Sequence, residues 1–190
     1  MASIARGGSG FGWALRLAVA IVVGLTPALH AQQPEFIDRE PEIKAAYLYN
    51  FARYVEWPDA GTGEFVIGVV GETRVAAPLA TIASTKKINR RSIVVRRFKT
   101  VKDFQHCHLL FIPADQDAKL VEAALKNVAK TPTLIVGEAP EFAVRQGHIG
   151  FYAEQNSVKF TINSGSAEKI GLKISSKLLS LGRIVGERPR

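Results

Sequence analysis

Few residues of this chain have the spacing that a chemical site requires. His106 and His108 lie two positions apart, so in a strand both side chains would point to one face, as metal ligands often do. A structural zinc site needs about four ligands, and the sequence offers no further cluster of histidine and cysteine to complete one. We therefore expect no metal site and interpret the two histidines as polar residues that enter a strand.

The sequence also carries no recognisable nucleophile. Cys107 is the only cysteine and lies in an apolar segment, which is a poor environment for a thiolate. We expect it to be a small buried hydrophobe, with an intermolecular disulfide as the alternative. There is no Gly-x-Ser-x-Gly motif, and the acids Glu138, Glu141 and Glu154 are scattered near predicted turns. These observations predict a protein that is not an enzyme and that holds no cofactor.

A glycine-containing turn at residues 68–71 follows a predicted strand and precedes a predicted helix. Backbone N–H groups in such a turn can face an anion. The segment lacks Gly-x-Gly-x-x-Gly and the Gly-Lys-Ser/Thr of a phosphate loop, so we interpret it as a tight strand-to-helix turn. A small-molecule crevice at the carboxyl ends of the strands, beyond Gly71 and Gly137, is the alternative.

The strongest charge asymmetry of the chain lies between residues 74 and 102, a segment with no acidic residue. Its cations are Arg74, Lys86, Lys87, Arg90, Arg91, Arg96, Arg97, Lys99 and Lys102. Basic runs can bind nucleic acid, but an exported protein seldom meets it, so we expect no nucleic-acid partner. An acidic partner surface or anionic lipid headgroups fit better, and a solvated basic face is the structural alternative.

Residues 42–58 predict one helix with a defined end. Ile43, Tyr47, Phe51 and Tyr54 recur at three- and four-residue steps, which places them on one face, and Pro58 ends the helix near Trp57. We expect Tyr47 and Tyr54 in the core. Leu48, Tyr49 and Trp57 are the candidates for exposure.

Strand and helix patterns then alternate along the chain. Strands are predicted at 65–70, 92–96, 107–112 and 133–136, and helices at 75–83, 117–129 and 164–184, the last with a weak point at Gly171. Asp115 or Asp117 is the expected cap of the helix at 117–129. Segments 149–153 and 157–162 predict a hairpin. This pattern predicts a single three-layer Rossmann-like α/β domain with a largely parallel sheet, an antiparallel edge hairpin and helices on both faces.

The N-terminus has the order of a secretory signal peptide. Arg6 and Arg16 precede an uncharged apolar run at 17–25, and Ala31 supplies a small residue for cleavage. The run is short against the ~20 residues of a spanning helix, so an uncleaved anchor is the weaker alternative. We predict a signal peptide at 1–31, a flexible leader at 32–40, the α/β domain at 41–186 and a tail at 187–190. The chain carries a formal net charge of +8 with 47% hydrophobic residues, which is an ordinary globular composition.

Two blocks of the chain resemble a known family. Residues 44–58, Lys-Ala-Ala-Tyr-Leu-Tyr-Asn-Phe-Ala-Arg-Tyr-Val-Glu-Trp-Pro, are similar to the opening signature of the YfiR-like family of periplasmic proteins. Residues 158–163 and 171–179 resemble its second block. The resemblance covers roughly residues 40–185 and implies a periplasmic regulator that represses an inner-membrane diguanylate cyclase through the cyclase's periplasmic sensor region. Such repression lowers cyclic-di-GMP and biofilm formation.

The resemblance also implies a homodimer, whereas the cysteine pairs of some family members are missing, so a redox role is not carried over. Our partner-binding hypothesis places seven residues on one surface: Leu48, Tyr49, Trp57, Arg90, Arg91, Arg96 and Arg97. Two alternatives remain, namely a periplasmic small-molecule binding module and an envelope scaffold associated with an outer-membrane receptor.

Overall fold

The computed structural model of the chain describes residues 33–58 and 63–186. The predicted signal peptide at 1–31 and the predicted tail at 187–190 lie outside these residues. Within the described ranges, no helix combines the length and the hydropathy that crossing a membrane requires.

The first helix, α1, is longer at its start and shorter at its end than the sequence predicted. It spans Gln33–Arg53, so it begins inside the segment that was predicted as a leader. Tyr54 N still donates to Asn50 O, but Val55–Glu56 form a short strand, β1, which pairs with a later strand, β9 at Lys173–Ile174. The helix therefore ends at Arg53, earlier than the end predicted near Trp57, because pairing with β9 holds residues 55 and 56 in an extended conformation.

The remaining elements build an eight-stranded, mostly parallel sheet flanked by helices. The strands are β2 Phe65–Val70, β3 Lys87–Ile88, β4 Arg91–Phe98, β5 Leu109–Ile112, β6 Leu134–Gly137, β7 Ile149–Glu154, β8 Ser157–Ile162 and β10 Arg183–Ile184. The helices are α2 Ala76–Thr85, α3 Ala118–Val128, α4 Phe142–Arg145, α5 Ser164–Glu168 and α6 Ser176–Leu179, with a 3-10 turn at Val101–Asp103. The strand order of this sheet is β10-β8-β7-β6-β5-β2-β4-β3, and among its described strand pairs β7–β8 and β3–β4 are antiparallel and the others parallel.

The mixed α/β class, the mostly parallel sheet and the β7–β8 hairpin are confirmed, whereas the Rossmann-like three-layer arrangement stays a prediction. The predicted position of the hairpin at the edge of the sheet is wrong, because β10 pairs with the outer side of β8. The hairpin turn places Gln155 and Asn156 at φ of 48° and 55°, as a tight two-residue connection requires. The cap of α3 is also confirmed, because the Asp117 carboxylate accepts a hydrogen bond of 3.0 Å from Leu120 N.

The core lies on both faces of the sheet, and β2 shows this most directly. All six residues of β2 are buried, as its continuous apolar run predicted. Phe65, Ile67 and Val69 belong to the cluster that includes α1 and α2, whereas Val66 and Val70 belong to the cluster that includes α3. The alternation follows from the two-residue period of a strand.

The predicted helix at 164–184 is wrong. The segment divides into α5, β9, α6 and β10, because side-chain caps begin the two short helices separately and a glycine interrupts the path between them. Asn163 accepts a hydrogen bond from Ser166 N at the start of α5, and Ser175 accepts one from Leu178 N at the start of α6. Gly171 has φ of +81°, which ends the helical path between them.

Candidate functional site

A cleft lies at the carboxyl edge of the sheet, at the point where the strand order changes direction. From β2 the chain passes to β4 on one side and then to β5 on the other, so the loops after β2 and β5 diverge. The cleft between them has a volume of about 310 Å³. Its lining comes from α1 and from the loops after β2, β5 and β6: Glu40, Pro41, Lys44, Glu72, Thr73, Arg74, Val75, Pro113, Asp115, Gln116 and Glu138.

The loop after β2 contains a glycine in a left-handed conformation, next to the end of the Gln116 side chain. Gly71 has φ of +66°, and its N–H donates to Phe98 O at 2.8 Å. A Cβ there would overlap the carboxamide oxygen of Gln116, whose Nε2 donates to Glu72 O at 3.1 Å. The left-handed backbone and the nearby Gln116 side chain both favour glycine at this position, and the predicted tight turn is confirmed.

A charged bridge forms the opposite wall of the cleft. Lys44 Nζ lies 2.5 Å from Glu40 Oε1 and 2.6 Å from Glu138 Oε1, and Glu138 Oε2 accepts a hydrogen bond of 2.9 Å from Ala114 N. Burial lowers the pKa of Lys44, but the hydrogen bonds and charges of Glu138 and Glu40 together outweigh burial and raise that pKa. The ammonium group is therefore charged, and it ties α1 to the loops after β5 and β6.

Sequence reasoning missed this bridge. Lys44 and Glu138 are 94 residues apart, and Glu138 was counted only among the scattered acids. The available signal was its position directly after β6, because the carboxyl ends of parallel strands meet at one edge of the sheet. The alternative of a crevice beyond Gly71 and Gly137 pointed to this place.

The predicted exposure of Leu48 is wrong, because its side chain is fully buried. The buried stripe of α1 consists of Ala45, Leu48, Phe51 and Ala52, which recur at three- and four-residue steps. Tyr49 is half-buried, with the Arg53 guanidinium 5.5 Å from its ring centre. Leu48 therefore cannot line a partner surface in this fold, whereas Tyr49 retains exposed area.

Trp57 is half-buried and contributes to the opposite, amino-terminal edge of the sheet. Its Nε1 donates to His108 O at 3.3 Å, and its ring meets the Phe65 ring edge-on at 5.0 Å between centres. His108 in turn accepts a hydrogen bond of 3.1 Å at Nδ1 from Val66 N. The two residues join the segment after α1 to the starts of β2 and β5.

Arg91, at the start of β4, contacts residues at the same amino-terminal end of the sheet. Its guanidinium donates to Gly63 O at 2.9 Å and to Glu64 O at 2.6 Å, and it lies 3.0 Å from His108 Nε2. This side chain is engaged within the chain. The rings of His106 and His108 lie 5.0 Å apart, but the part of the chain that the structure describes contains no group of three or more metal-ligating side chains.

The other predicted cations do not share one face. Arg96 and Arg97 are neighbours on β4, so their side chains point to opposite faces of the sheet. Arg96 donates to Gln105 Oε1 at 2.7 Å, and Arg97 pairs with Glu72 Oε2 at 2.7 Å. Arg90 lies in the β3–β4 turn with φ of +69°. The seven residues of the partner-binding hypothesis thus do not form one surface: they lie at both the amino-terminal and the carboxyl-terminal ends of the strands and on both faces of the sheet. Their contact with a partner stays a prediction.

Cys107 is fully buried, as expected of a small hydrophobe. Burial raises the pKa of its thiol to about 12, so the thiol is protonated at neutral pH and is not an active nucleophile.

Comparison with known proteins adds one result. A family model described as YfiR/HmsC-like matches residues 41–183, which extend from α1 to the start of β10. No curated protein matches the chain significantly.

Proposed function

Because the chain belongs to the YfiR/HmsC-like family, we propose that it is a periplasmic regulatory binding protein that represses an inner-membrane diguanylate cyclase. In this proposal it binds the periplasmic sensor region of the cyclase and favours the inactive state, which lowers cyclic-di-GMP and biofilm formation. The observation that carries the proposal is the family match, which covers nearly all of the described domain.

Two groups that could take part in covalent or general-base chemistry are not free to do so in this structure. The only thiol is buried and protonated, and the lysine of the cleft is charged and engaged with two carboxylates. A nucleophile or general base needs a lone pair that is free to react. Neither group offers one in this arrangement.

The experiment that tests the proposal reconstitutes the regulation. The purified protein is added to the periplasmic side of a membrane cyclase from the same organism, and the conversion of GTP into cyclic-di-GMP is measured. We expect inhibition that rises with protein concentration and saturates. A cyclase that lacks its periplasmic region is the control and should be unaffected. Equal rates with and without the protein, for every such cyclase of the organism, would contradict the proposal.

A second candidate function has its own observation. The cleft of about 310 Å³ at the carboxyl edge lies where open α/β sheets bind ligands, and its volume is within the range of small-molecule pockets. In this alternative the chain is a periplasmic small-molecule binding module. A thermal-shift screen tests it, because a ligand that binds the folded state raises the apparent stability.

The matched control for that screen is Asp115→Trp, which places a large side chain at an exposed position of the lining. A metabolite that stabilises the wild type but not this variant would support the cleft. A screen in which no metabolite raises the melting temperature would contradict the small-molecule function. The third possibility, an envelope scaffold, predicts co-fractionation with outer-membrane complexes and unchanged cyclic-di-GMP in a deletion strain.

A further inference from the structure

The strand β4 has an edge that is only partly paired. It pairs with β2 from Ile93 to Phe98 on one side, but on the other side β3 covers only Arg91 and Ser92. In the described ranges, no strand pairs with the outer side of residues 93–98. A strand edge of this kind is a template for pairing with another chain.

The register identifies the open backbone groups. Phe98 O accepts a hydrogen bond from Gly71 N, so the backbone groups of Phe98 face the β2 side. Because successive residues of a strand direct these groups to alternate sides, the N–H and C=O of Ile93, Val95 and Arg97 face outward. Lys99 N donates to Asp103 Oδ2 at 3.0 Å, which closes the edge just beyond them. The open stretch therefore spans residues 93–97.

An apolar groove runs beside this stretch. It has a volume of about 320 Å³ and is lined by Ala76, Ala77 and Ala80 of α2 together with Val95 and Arg97 of β4. A strand added to β4 would direct alternate side chains to the face where α2 lies. The small alanine side chains leave room there for a branched apolar residue.

The positive charge around the open edge of β4 favours an acidic partner segment. Lys86, Lys87 and Arg90 lie at one end of the open stretch, and Arg97 and Lys99 lie at the other. Arg97 and Lys99 share the single carboxylate of Glu72, at 2.7 and 2.6 Å, so positive charge remains in excess. A second copy would bring an equally basic edge against this one, and like charges across a strand pair are destabilising. An acidic strand would be attracted.

We propose that the outer edge of β4 binds an extended, acidic segment of a partner protein by β-strand addition. The segment pairs with the backbone of residues 93–97, inserts apolar side chains on the face of α2 and directs its acidic side chains to the opposite face, where Lys87 and Arg96 lie. The proposal goes beyond the regulatory function above, because it names a docking surface and a segment chemistry for any protein partner.

The test uses a synthetic six-residue peptide in which glutamate and valine alternate, with blocked termini. It is titrated into the isotope-labelled mature protein while amide resonances and amide hydrogen exchange are recorded. We expect the resonances of Ile93, Val95 and Arg97 to shift and their exchange to slow by at least about tenfold. The same peptide with alternate backbone N-methyl groups, which cannot pair, should have no effect.

A protein variant separates strand pairing from simple charge attraction. Val95→Pro removes an outward N–H that β2 does not use, so we expect an unchanged fold by circular dichroism and a loss of peptide binding of at least about tenfold. A lysine–valine peptide should bind the wild type more weakly than the glutamate–valine peptide by a similar factor.

Three results would overturn the proposal. The first is no response to the glutamate–valine peptide at millimolar concentration. The second is equal binding of the N-methylated or lysine–valine peptide. The third is protection of the three amides in the free protein that increases with protein concentration, because this result would show that a second copy occupies the edge.

Discussion

His148 should make the stability of this protein depend on pH in a calculable way. The imidazole lies directly before β7 and is 5% exposed, and its Nδ1 accepts a hydrogen bond of 2.9 Å from Ile135 N. Burial lowers the pKa of His148 from 6.5 to about 4. Protonation in the folded state would place an uncompensated charge in the core and would remove the acceptor for Ile135 N.

The sign and size of the effect follow from linkage. Between pH 6.5 and about pH 4, the unfolded chain binds a proton at this histidine that the folded chain does not bind. The free energy of unfolding therefore decreases as the pH falls through this window and is insensitive to His148 above it. One pKa unit corresponds to about 1.4 kcal/mol. The titration of His148 should therefore lower the free energy of unfolding by about 2 kcal/mol at roughly pH 5 and by about 3 kcal/mol near pH 4, relative to neutral pH.

The assay compares urea denaturation of the wild type and of His148→Asn at neutral pH and at about pH 5. Asparagine keeps an acceptor near the position of Nδ1 but does not titrate, so the variant should lose about 2 kcal/mol less than the wild type on acidification. His106→Asn makes the same substitution at an exposed histidine and is the matched control for the substitution itself. An equal loss of stability on acidification in the wild type and in His148→Asn would show that His148 is not the source of the pH dependence.

Three further predictions test the described geometry, each by urea denaturation. Lys44→Met should cost about 1–3 kcal/mol because it leaves two half-buried carboxylates without their cation, and an unchanged midpoint would contradict the bridge. Gly71→Ala should cost about 1–3 kcal/mol, because its φ of +66° is left-handed and the Gln116 side chain must move away from the added Cβ; an unchanged midpoint would contradict this geometry. Leu48→Ala should cost about 2–5 kcal/mol and Tyr49→Ala clearly less, and the reverse order would show that the buried face of α1 is misassigned.

The sequence predicted those elements whose signals are local. The apolar run of β2, the β7–β8 hairpin and the Asp117 cap each depend on a few neighbouring residues, and the structure confirms all three. Local signals are reliable where propensity, polarity and turn chemistry agree over a short segment.

The remaining features depend on partners that are distant in the chain. The segment at 164–184 has a helical apolar pattern, but β9 and β10 arise from pairing with β1 and β8. The buried face of α1 was misassigned at Leu48 because two apolar stripes compete in that helix, and only the position of the sheet decides between them. The opposite directions of Arg96 and Arg97 follow from strand geometry once β4 is known.

The cleft was foreseen only as an alternative location, and its charged bridge was missed. A salt bridge between α1 and the loop after β6 requires a three-dimensional arrangement that no sequence period encodes. The partly open edge of β4 was equally hidden, because the shortness of β3 is a property of pairing and not of composition.

The central claim, repression of a membrane diguanylate cyclase from the periplasm, is tested most directly by measuring cyclic-di-GMP in cells of the source organism. The gene is deleted and then restored either with residues 1–31 or without them. If the protein is such a repressor, cyclic-di-GMP rises on deletion and returns to its original concentration only with the form that carries residues 1–31. An unchanged concentration on deletion, or equal restoration by both forms, would contradict it.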